Sequence, residues 1–317
     1  MRAGIIADPG RSAIQTTERP QPGPGQVLLE LEGSGVCASS IPVWEGRSWF
    51  QYPQPAGAPG HEGWGRVVQI GEGVTGIEEG VRVAAVTYRA HAEYDIADAK
   101  ALVRLPSSLD DVPVPGEPLG CAYNIFRRSE IVPGQTVAIV GIGFLGALLT
   151  RLATHAGARV IAISRRAYAL DIARRFGALE TIAMDDHARI IGEVKALTGG
   201  KFCERVIEAV GLQWPLDLAG ELTAERGRLV IAGFHQDGPR QVNMQLWNWR
   251  GIDVINAHER DPQVYVQGIR GAVELMSSGV LDPSPLITHR LPLERLGEAL
   301  ELTRTRPDGF MKAIVTT

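Results

Sequence analysis

Cysteine, histidine and carboxylate side chains stand in three compact, glycine-containing motifs within residues 33–121. Cys37 lies in GSGVCASS, His61 and Glu62 lie in GHEGWG, and Glu117 lies in GEPLGC. Zinc binds these ligand types, and a catalytic zinc keeps one coordination position open for water or substrate. Taken singly, each residue has an ordinary structural interpretation, such as a small buried apolar group for Cys37. Taken together, they supply the ligand types of a catalytic zinc site.

A second group of residues forms a glycine-rich turn between a strand and a helix. An apolar run (VAIV) leads directly into GIGFLG, after which leucines recur at helical spacing. The first glycine allows a sharp turn, the second lets a pyrophosphate approach the backbone, and the third lets the helix pack on the strand. The helix N-terminus then faces the anion. The residues expected to bind a dinucleotide are Gly141, Gly143, Phe144, Leu145 and Gly146.

The second strand of this unit ends in Ser164, Arg165 and Arg166. An NAD-binding unit usually carries an acidic residue there, which accepts a hydrogen bond from the ribose 2′-hydroxyl. A carboxylate would repel the 2′-phosphate of NADP, whereas serine can donate to it and guanidinium groups can pair with it. We therefore expect NADP rather than NAD. The alternative is that both arginines are solvated residues at the start of the next helix.

The elements that must position these residues fall into three stretches. Residues 1–120 contain short apolar runs separated by Gly and Pro, which predicts a compact antiparallel β domain. Strands alternate with helical segments over residues 121–257, which predicts a Rossmann-type, doubly wound parallel sheet and an α/β fold class. Residues 258–317 are expected to fold back on the first domain with two helices and a final strand.

Composition limits the kind of partner. The chain has 317 residues, of which 44% are hydrophobic and 21% charged, and this suits a globular protein of about two domains. A net charge of -4 offers no basic field for nucleic acid or an anionic membrane, so we expect a small-molecule partner. No signal peptide or membrane span is evident, and we expect a cytoplasmic protein. Cys37, Cys121 and Cys203 form neither a disulfide framework nor a CxxC zinc pair.

In this order and spacing, the motifs resemble those of the zinc-dependent medium-chain alcohol and polyol dehydrogenases over nearly the whole chain. GVCASS is similar to the family's GxCxSD segment, and GHEGWGRVVQIGEGV to its GHExxGxVxxxGxxV segment. The resemblance implies a GroES-like, β-rich catalytic domain before the Rossmann domain. It also implies Cys37, His61 and Glu117 as zinc ligands and Glu62 as a fourth or alternating ligand. Ser39 would relay the alcohol proton.

The third zinc ligand is open to two assignments. Cys121 follows Glu117 by four residues, so both would lie on one face of a helix. We favour Glu117, because the segment Glu-Pro-Leu matches the polyol-dehydrogenase branch of the family.

The chain also departs from the family pattern. Ser40 stands where the family usually has an aspartate that orients the metal-binding histidine, so this support is expected to be weakened or altered. Pro42 occupies the region where some members keep a relay histidine. No cysteine lies between Arg82 and Leu105, where many relatives carry a structural zinc lobe, so we expect one zinc per chain at most.

The resemblance implies reversible hydride transfer between a secondary alcohol, such as a polyol, sugar or cyclitol, and NADP. The first alternative, which Ser40 keeps open, is a zinc-free NADPH-dependent quinone or enone reductase of the same superfold. The second is a non-catalytic NADPH-binding protein, since a fold does not determine a function.

Aromatic residues and an edge strand complete the expectations. Trp44, Trp49 and Phe50 either wall the substrate pocket or pack in the β domain. The strand at 251–257 pairs across a dimer in the family, and an unpaired apolar edge would be a liability in a monomer. We therefore expect a homodimer or homotetramer. The remaining candidates, His91, His235 and His258, are interpreted as structural or surface residues.

Overall fold

A computed structural model describes residues 1–317 of the chain. Its strands are β1 (Arg2–Asp8), β2 (Arg11–Thr16), β3 (Gln26–Gly35), β4 (Gly63–Ile70), β5 (Arg82–Ala85), β6 (Tyr94–Asp98), β7 (Leu102–Arg104), β8 (Thr136–Val140), β9 (Arg159–Ser164), β10 (Glu180–Ala183), β11 (Cys203–Glu208), β12 (Thr223–Ile231), β13 (Asp253–Asn256), β14 (Ile287–Pro292) and β15 (Lys312–Thr316). Its α-helices are α1 (Ile41–Trp44), α2 (Gly116–Ser129), α3 (Phe144–His155), α4 (Ala167–Arg175), α5 (His187–Leu197), α6 (Gln213–Leu222), α7 (Met244–Arg250), α8 (Pro262–Ser277) and α9 (Leu296–Thr305). Short 3-10 turns span Ala38–Ser40, Ala99–Ala101, Ser107–Leu109, Ser284–Leu286 and Leu293–Arg295.

The chain folds into two compact units. The first comprises Met1–Gly120 and Asp261–Thr317, and the second comprises Cys121–Arg260. The C-terminal segment therefore lies with the N-terminal residues. No helix is both long and apolar enough to cross a membrane.

The first unit is built on a seven-stranded sheet in the order β14-β15-β3-β4-β5-β7, with β6 also paired to β3. Its pairs are antiparallel except for β14 with β15. In β3 the side chains of Val27, Leu29 and Leu31 alternate into a core with residues of β4 and β5, as expected for a sheet with one buried face. The pairing of β15 with β3 places residues 314–316 beside residues 33–35, at the end of β3.

The second unit is a six-stranded parallel sheet in the order β10-β9-β8-β11-β12-β13. This is the strand order of doubly wound dinucleotide-binding folds, 3-2-1-4-5-6. All five residues of β8 are buried, because a central parallel strand is covered on both faces. In α3, Leu148, Leu149 and Leu152 are buried at helical spacing, so this face of the helix packs in the interior.

The structure confirms the predicted α/β class and adds detail at element ends. The final strand, β15, covers Lys312–Thr316 as expected, whereas β11 covers Cys203–Glu208 and is followed by a turn at Ala209–Gly211. The predicted strand at 251–257 is β13, which is short and lies at the edge of its sheet.

Candidate functional site

Two neighbouring strands of the first unit position the cysteine and histidine motifs. Strand β3 ends at Gly35 and β4 begins at Gly63, and the antiparallel register pairs Ser34 with Gly63. Cys37 follows the end of β3, whereas His61 and Glu62 precede the start of β4. Residues separated by more than twenty positions therefore meet at one end of the strand pair.

Cys37, His61 and Glu62 form a cluster suited to a metal ion. One ligand atom from each residue lies within 4.8 Å of the other two. The His61 ring donates through Nδ1 to the Pro59 carbonyl oxygen, at 2.8 Å. This hydrogen bond leaves Nε2 as the nitrogen for a metal, and Ser39 Oγ lies 3.5 Å from it.

The orientation of His61 comes from backbone rather than from residue 40. Ser40 is buried, and its hydroxyl has no hydrogen-bond partner. The Pro59 carbonyl instead fixes the ring, which is a common way for a protein to orient a metal-binding histidine. The Pro59 carbonyl therefore fixes the imidazole even though position 40 has no aspartate.

Glu62 is fully buried and forms an ion pair that no sequence motif indicated. Lys312 Nζ, from strand β15, lies 2.6 Å from both carboxylate oxygens. It donates a hydrogen bond to Oε1, whereas Oε2 has none. Oε2 is therefore the carboxylate oxygen that can take a further partner. A Cβ at Gly35 would collide with it, so glycine is required at that position.

The surroundings of His61 are strongly negative. Burial by itself would lower the pKa of His61, but the hydrogen bond with Cys37 and the charges of Cys37, Glu117 and Glu62 raise it to about 10. The same charges that stabilise a proton on the ring would stabilise a divalent cation in its place. The donor set and its electrostatics thus fit a zinc ion.

The two candidates for a third ligand both lie on α2. Glu117 is in its first turn, close enough for its charge to act on His61, although it is not one of the three clustered residues. Cys121 is half-buried one turn later, at the first residue of the second unit.

The aromatic residues after Cys37 divide between the interior and the surface. Trp44 is buried in an apolar core with Ile6 and Leu296, and its indole donates to Glu301 at 3.1 Å. It therefore packs in the β domain and does not wall a pocket. Phe50 packs against the same core, whereas Trp49 is 59% exposed.

The glycine-rich turn of the second unit has the backbone that its motif predicts. Gly141 has φ +102°, a conformation that side chains rarely allow. A Cβ at Gly146 would collide with the Gly141 carbonyl oxygen, so the third glycine permits the close approach of α3 to β8. Space around Gly143 is open, and α3 begins directly after it with Phe144, then Leu145. The N–H groups at the start of a helix suit an anion.

The residues after β9 lie at the carboxyl end of the same sheet. Ser164 is the buried last residue of β9, Arg165 is exposed, and Arg166 is half-buried with Nη2 3.4 Å from the Ile142 carbonyl oxygen. The structure therefore brings Arg166 next to the glycine-rich turn.

Sequence reasoning missed two contributors to the cluster of Cys37, His61 and Glu62: Lys312 and the Pro59 carbonyl. No local signal could have revealed Lys312, since it lies 250 residues from Glu62.

Known proteins similar to this chain include several dehydrogenases. The family model described as "Alcohol dehydrogenase GroES-like domain" matches residues 23–116, and that described as "Zinc-binding dehydrogenase" matches residues 145–276. L-threonine 3-dehydrogenase of Bacillus licheniformis is 27% identical over 336 residues, covering 95% of both chains. An alcohol dehydrogenase of Rhizobium meliloti is 31% identical over 235 residues, covering 63% of this chain and 68% of the relative.

A solved structure shows the same similarity in three dimensions. A protein of Sinorhizobium meliloti 1021, described as a zinc-binding dehydrogenase and solved bound to NADP, superposes with a TM-score of 0.84. The two are 25% identical, and the match covers 100% of this chain and 99% of the other.

Because His91 is buried, we expect it to make the stability of the protein depend on pH. Its two ring nitrogens have no hydrogen-bond partner, and burial, with the charges of His61 and Lys312, lowers its pKa to about 3. Below pH 6.5 the unfolded chain gains a proton at this residue that the folded chain does not. The free energy of unfolding therefore decreases as the pH is lowered. For the metal-free protein, we expect His91→Met to reduce the loss of unfolding free energy between pH 7 and pH 5 by about 2 kcal/mol.

Chemical denaturation at several pH values measures this difference. His155→Met, which removes an exposed histidine, is the control. An equal reduction in both variants would contradict the assignment to burial at position 91.

Proposed function

The chain belongs to the zinc-dependent medium-chain dehydrogenase/reductase family and is an oxidoreductase that acts on alcohols; from this premise we propose reversible hydride transfer between a secondary alcohol and NADP. One observation carries the proposal. Cys37, His61 and Glu62 place sulfur, nitrogen and oxygen ligands within 4.8 Å of one another in strongly negative surroundings. These are the ligand types of a catalytic zinc.

We assign Cys37, His61 and Glu117 as the ligands of one zinc ion. Glu117 is favoured over Cys121 because its charge acts on His61 within the first unit. Glu62 is assigned as a fourth ligand that alternates with water or substrate. Its Oε2 has no hydrogen bond, and the ion pair with Lys312 limits how far the carboxylate can move.

Ser39 is assigned as the acceptor of the alcohol proton. Bound zinc supplies Lewis acidity, which favours the ionised form of an alcohol and polarises a carbonyl in the reverse direction. The Ser39 hydroxyl is half-buried, 3.5 Å from His61 Nε2, and can both accept and donate a proton. With proline at position 42, the proton would pass from Ser39 to water or to the cofactor ribose.

The cofactor is assigned to the carboxyl edge of the parallel sheet. Backbone N–H groups at Gly143, Phe144 and Leu145 suit the pyrophosphate, as expected for the start of α3. Ser164, Arg165 and Arg166 suit the 2′-phosphate of NADP, because the end of β9 carries no carboxylate. The NADP bound to the Sinorhizobium meliloti protein supports this choice.

The substrate class follows from a relative and a motif. L-threonine 3-dehydrogenase, by its name, acts at carbon 3 of threonine, which carries a secondary alcohol. The segment Glu117-Pro118-Leu119 resembles the polyol branch of the family. We therefore propose a polyol, sugar or cyclitol-like secondary alcohol as substrate.

Strand β13 is the basis for a proposed homodimer or homotetramer. It forms one edge of the parallel sheet, with Val254 38% exposed. In the preceding α7, Met244 is 52% and Trp249 is 88% exposed. An apolar edge of this kind is usually covered by another chain.

The ligand assignment predicts different results for Glu117 and Cys121. Removing a zinc ligand should weaken zinc binding strongly, so Cys37→Ala and Glu117→Gln are each expected to lower zinc affinity by more than about 100-fold and to abolish most turnover. Cys121→Ser should retain zinc. Competition with a chromogenic chelator measures the affinity, and the melting temperature of each metal-free variant controls for folding. Loss of zinc in Cys121→Ser with retention in Glu117→Gln would reverse the assignment.

The cofactor assignment predicts that removing the two arginines weakens the binding of NADPH but not that of NADH. Arg165→Ala combined with Arg166→Ala removes two charge-assisted partners of the 2′-phosphate and should raise the NADPH dissociation constant about 100-fold. NADH binding should change less than about 2-fold, because NADH lacks that phosphate. Arg174→Ala, an exposed and ion-paired arginine on α4, is the control. Equal affinity of the wild-type protein for NADH and NADPH would contradict the assignment.

The proposed assembly predicts a mass of at least twice that of the 34.2 kDa chain at micromolar concentration. Light scattering after size-exclusion chromatography gives this mass directly. A monomeric mass would show that β13 and Trp249 are uncovered in solution.

A further inference from the structure

A buried carboxylate, Glu208, links the loops at the C-terminal ends of the strands in the parallel sheet. It is the last residue of β11, and its side chain is fully buried. Oε1 accepts hydrogen bonds from the backbone N–H groups of Val210, at 2.7 Å, and Gly211, at 2.8 Å. Oε2 lies 3.0 Å from His235 Nε2. Glu208 therefore links the turn 209–211 to the loop that follows β12.

Arg240 extends this link and determines the tautomer of His235. Its Nε donates to His235 Nδ1 at 2.9 Å, so Nδ1 carries no proton and Nε2 donates to Glu208. Arg240 Nη2 also donates to the Gly211 carbonyl oxygen, at 2.9 Å, and pairs with Asp237. The turn 209–211 is thus held through its N–H groups by Glu208 and through a carbonyl by Arg240.

The turn 209–211 lies between the turns that follow the two adjacent strands, β8 and β12. Strand β11 pairs with β8 on one side and with β12 on the other, and Glu208 is in register with Val140 and Ile231. Val210 Cγ2 occupies the space that a Cβ at Gly141 would need. In the same way, backbone atoms of Phe234 occupy the space that a Cβ at Gly211 would need. Movement of the turn 209–211 would therefore displace both neighbours, including the first glycine of GIGFLG.

We propose that His235 and Arg240 are positioning residues for the cofactor, acting through Glu208 and the turn 209–211. The inference rests on the proposed function, because parallel α/β sheets bind ligands at this edge. The two residues need not touch the dinucleotide. They hold the backbone that faces it, and the ion pair with Asp237 fixes the Arg240 guanidinium.

The test compares variants of the full-length protein by NADPH affinity and by melting temperature. His235→Ala removes both hydrogen bonds of the ring, and Arg240→Ala removes the link to Gly211. Each is expected to raise the NADPH dissociation constant, measured by cofactor fluorescence, about 10-fold. His235→Asn can still accept from Arg240 and should recover most of the affinity lost in His235→Ala, which a purely structural contribution to stability would not require.

Two further variants keep the test decisive. Arg240→Lys retains the charge but not the forked contacts, so about 10-fold weaker binding is expected even if the alanine variants do not fold. Arg228→Ala is the matched control, because Arg228 is similarly buried and also binds a carboxylate and a backbone carbonyl, those of Glu130 and Arg128. It should leave NADPH affinity unchanged.

The outcomes separate the two claims. If the wild-type protein binds NADPH but the folded His235 and Arg240 variants bind it within about 2-fold of wild type, the positioning role is wrong and the proposed function stands. If the wild-type protein binds neither NADPH nor NADH, the proposed function is wrong and this inference fails with it.

Discussion

The buried ion pair between Lys312 and Glu62 ties the end of the chain to the candidate metal cluster. Two charges inside a protein are costly to desolvate, and removing one partner of such a pair typically costs about 3–5 kcal/mol because the other stays buried and uncompensated. Here the pair requires three things at once: β15 must pair with β3, Gly35 must lack a side chain, and Glu62 must precede β4. The cluster therefore depends on the C-terminal segment as much as on its own motifs.

A comparable constraint operates in the second unit. Three strand ends meet there at glycine-containing turns, which pack so closely that there is no room for a Cβ at Gly141, Gly211 or Gly233. Close packing leaves the turns little freedom, and Glu208 holds the middle one by its N–H groups. On the positioning proposal, Glu208 and its partners hold the backbone that faces the dinucleotide and need not contact the dinucleotide themselves.

Sequence reasoning succeeded where function is encoded in contiguous motifs. GIGFLG lies between an apolar strand and an amphipathic helix, so its turn could be predicted, and the family models confirm the resemblance on which the GroES-like and Rossmann domains were expected. Cys37 and His61 were predicted to act together, and the antiparallel register of β3 and β4 explains why they meet. Their roles as zinc ligands are still predictions.

Sequence reasoning failed where partners are far apart in the chain or act through backbone. Lys312 has no motif, and the Pro59 carbonyl that orients His61 has no side-chain signature. His235 was interpreted as a structural or surface histidine, and the sequence did not reveal its partners Glu208 and Arg240, which meet it only after the strands have paired. The sequence allowed Trp44 to line a pocket or to pack in a core, and the structure shows that it packs in a core.

The central claim is that Cys37, His61 and a glutamate hold one catalytic zinc. The most direct test is the zinc content of the wild-type protein, purified without added metal or chelator and measured by elemental analysis. The account predicts close to one zinc per chain, since the lobe that holds a second zinc in many relatives has no cysteines here. Essentially no zinc in a protein that still binds NADPH would contradict it, and the chemistry would then be the metal-free reduction of quinones or enones.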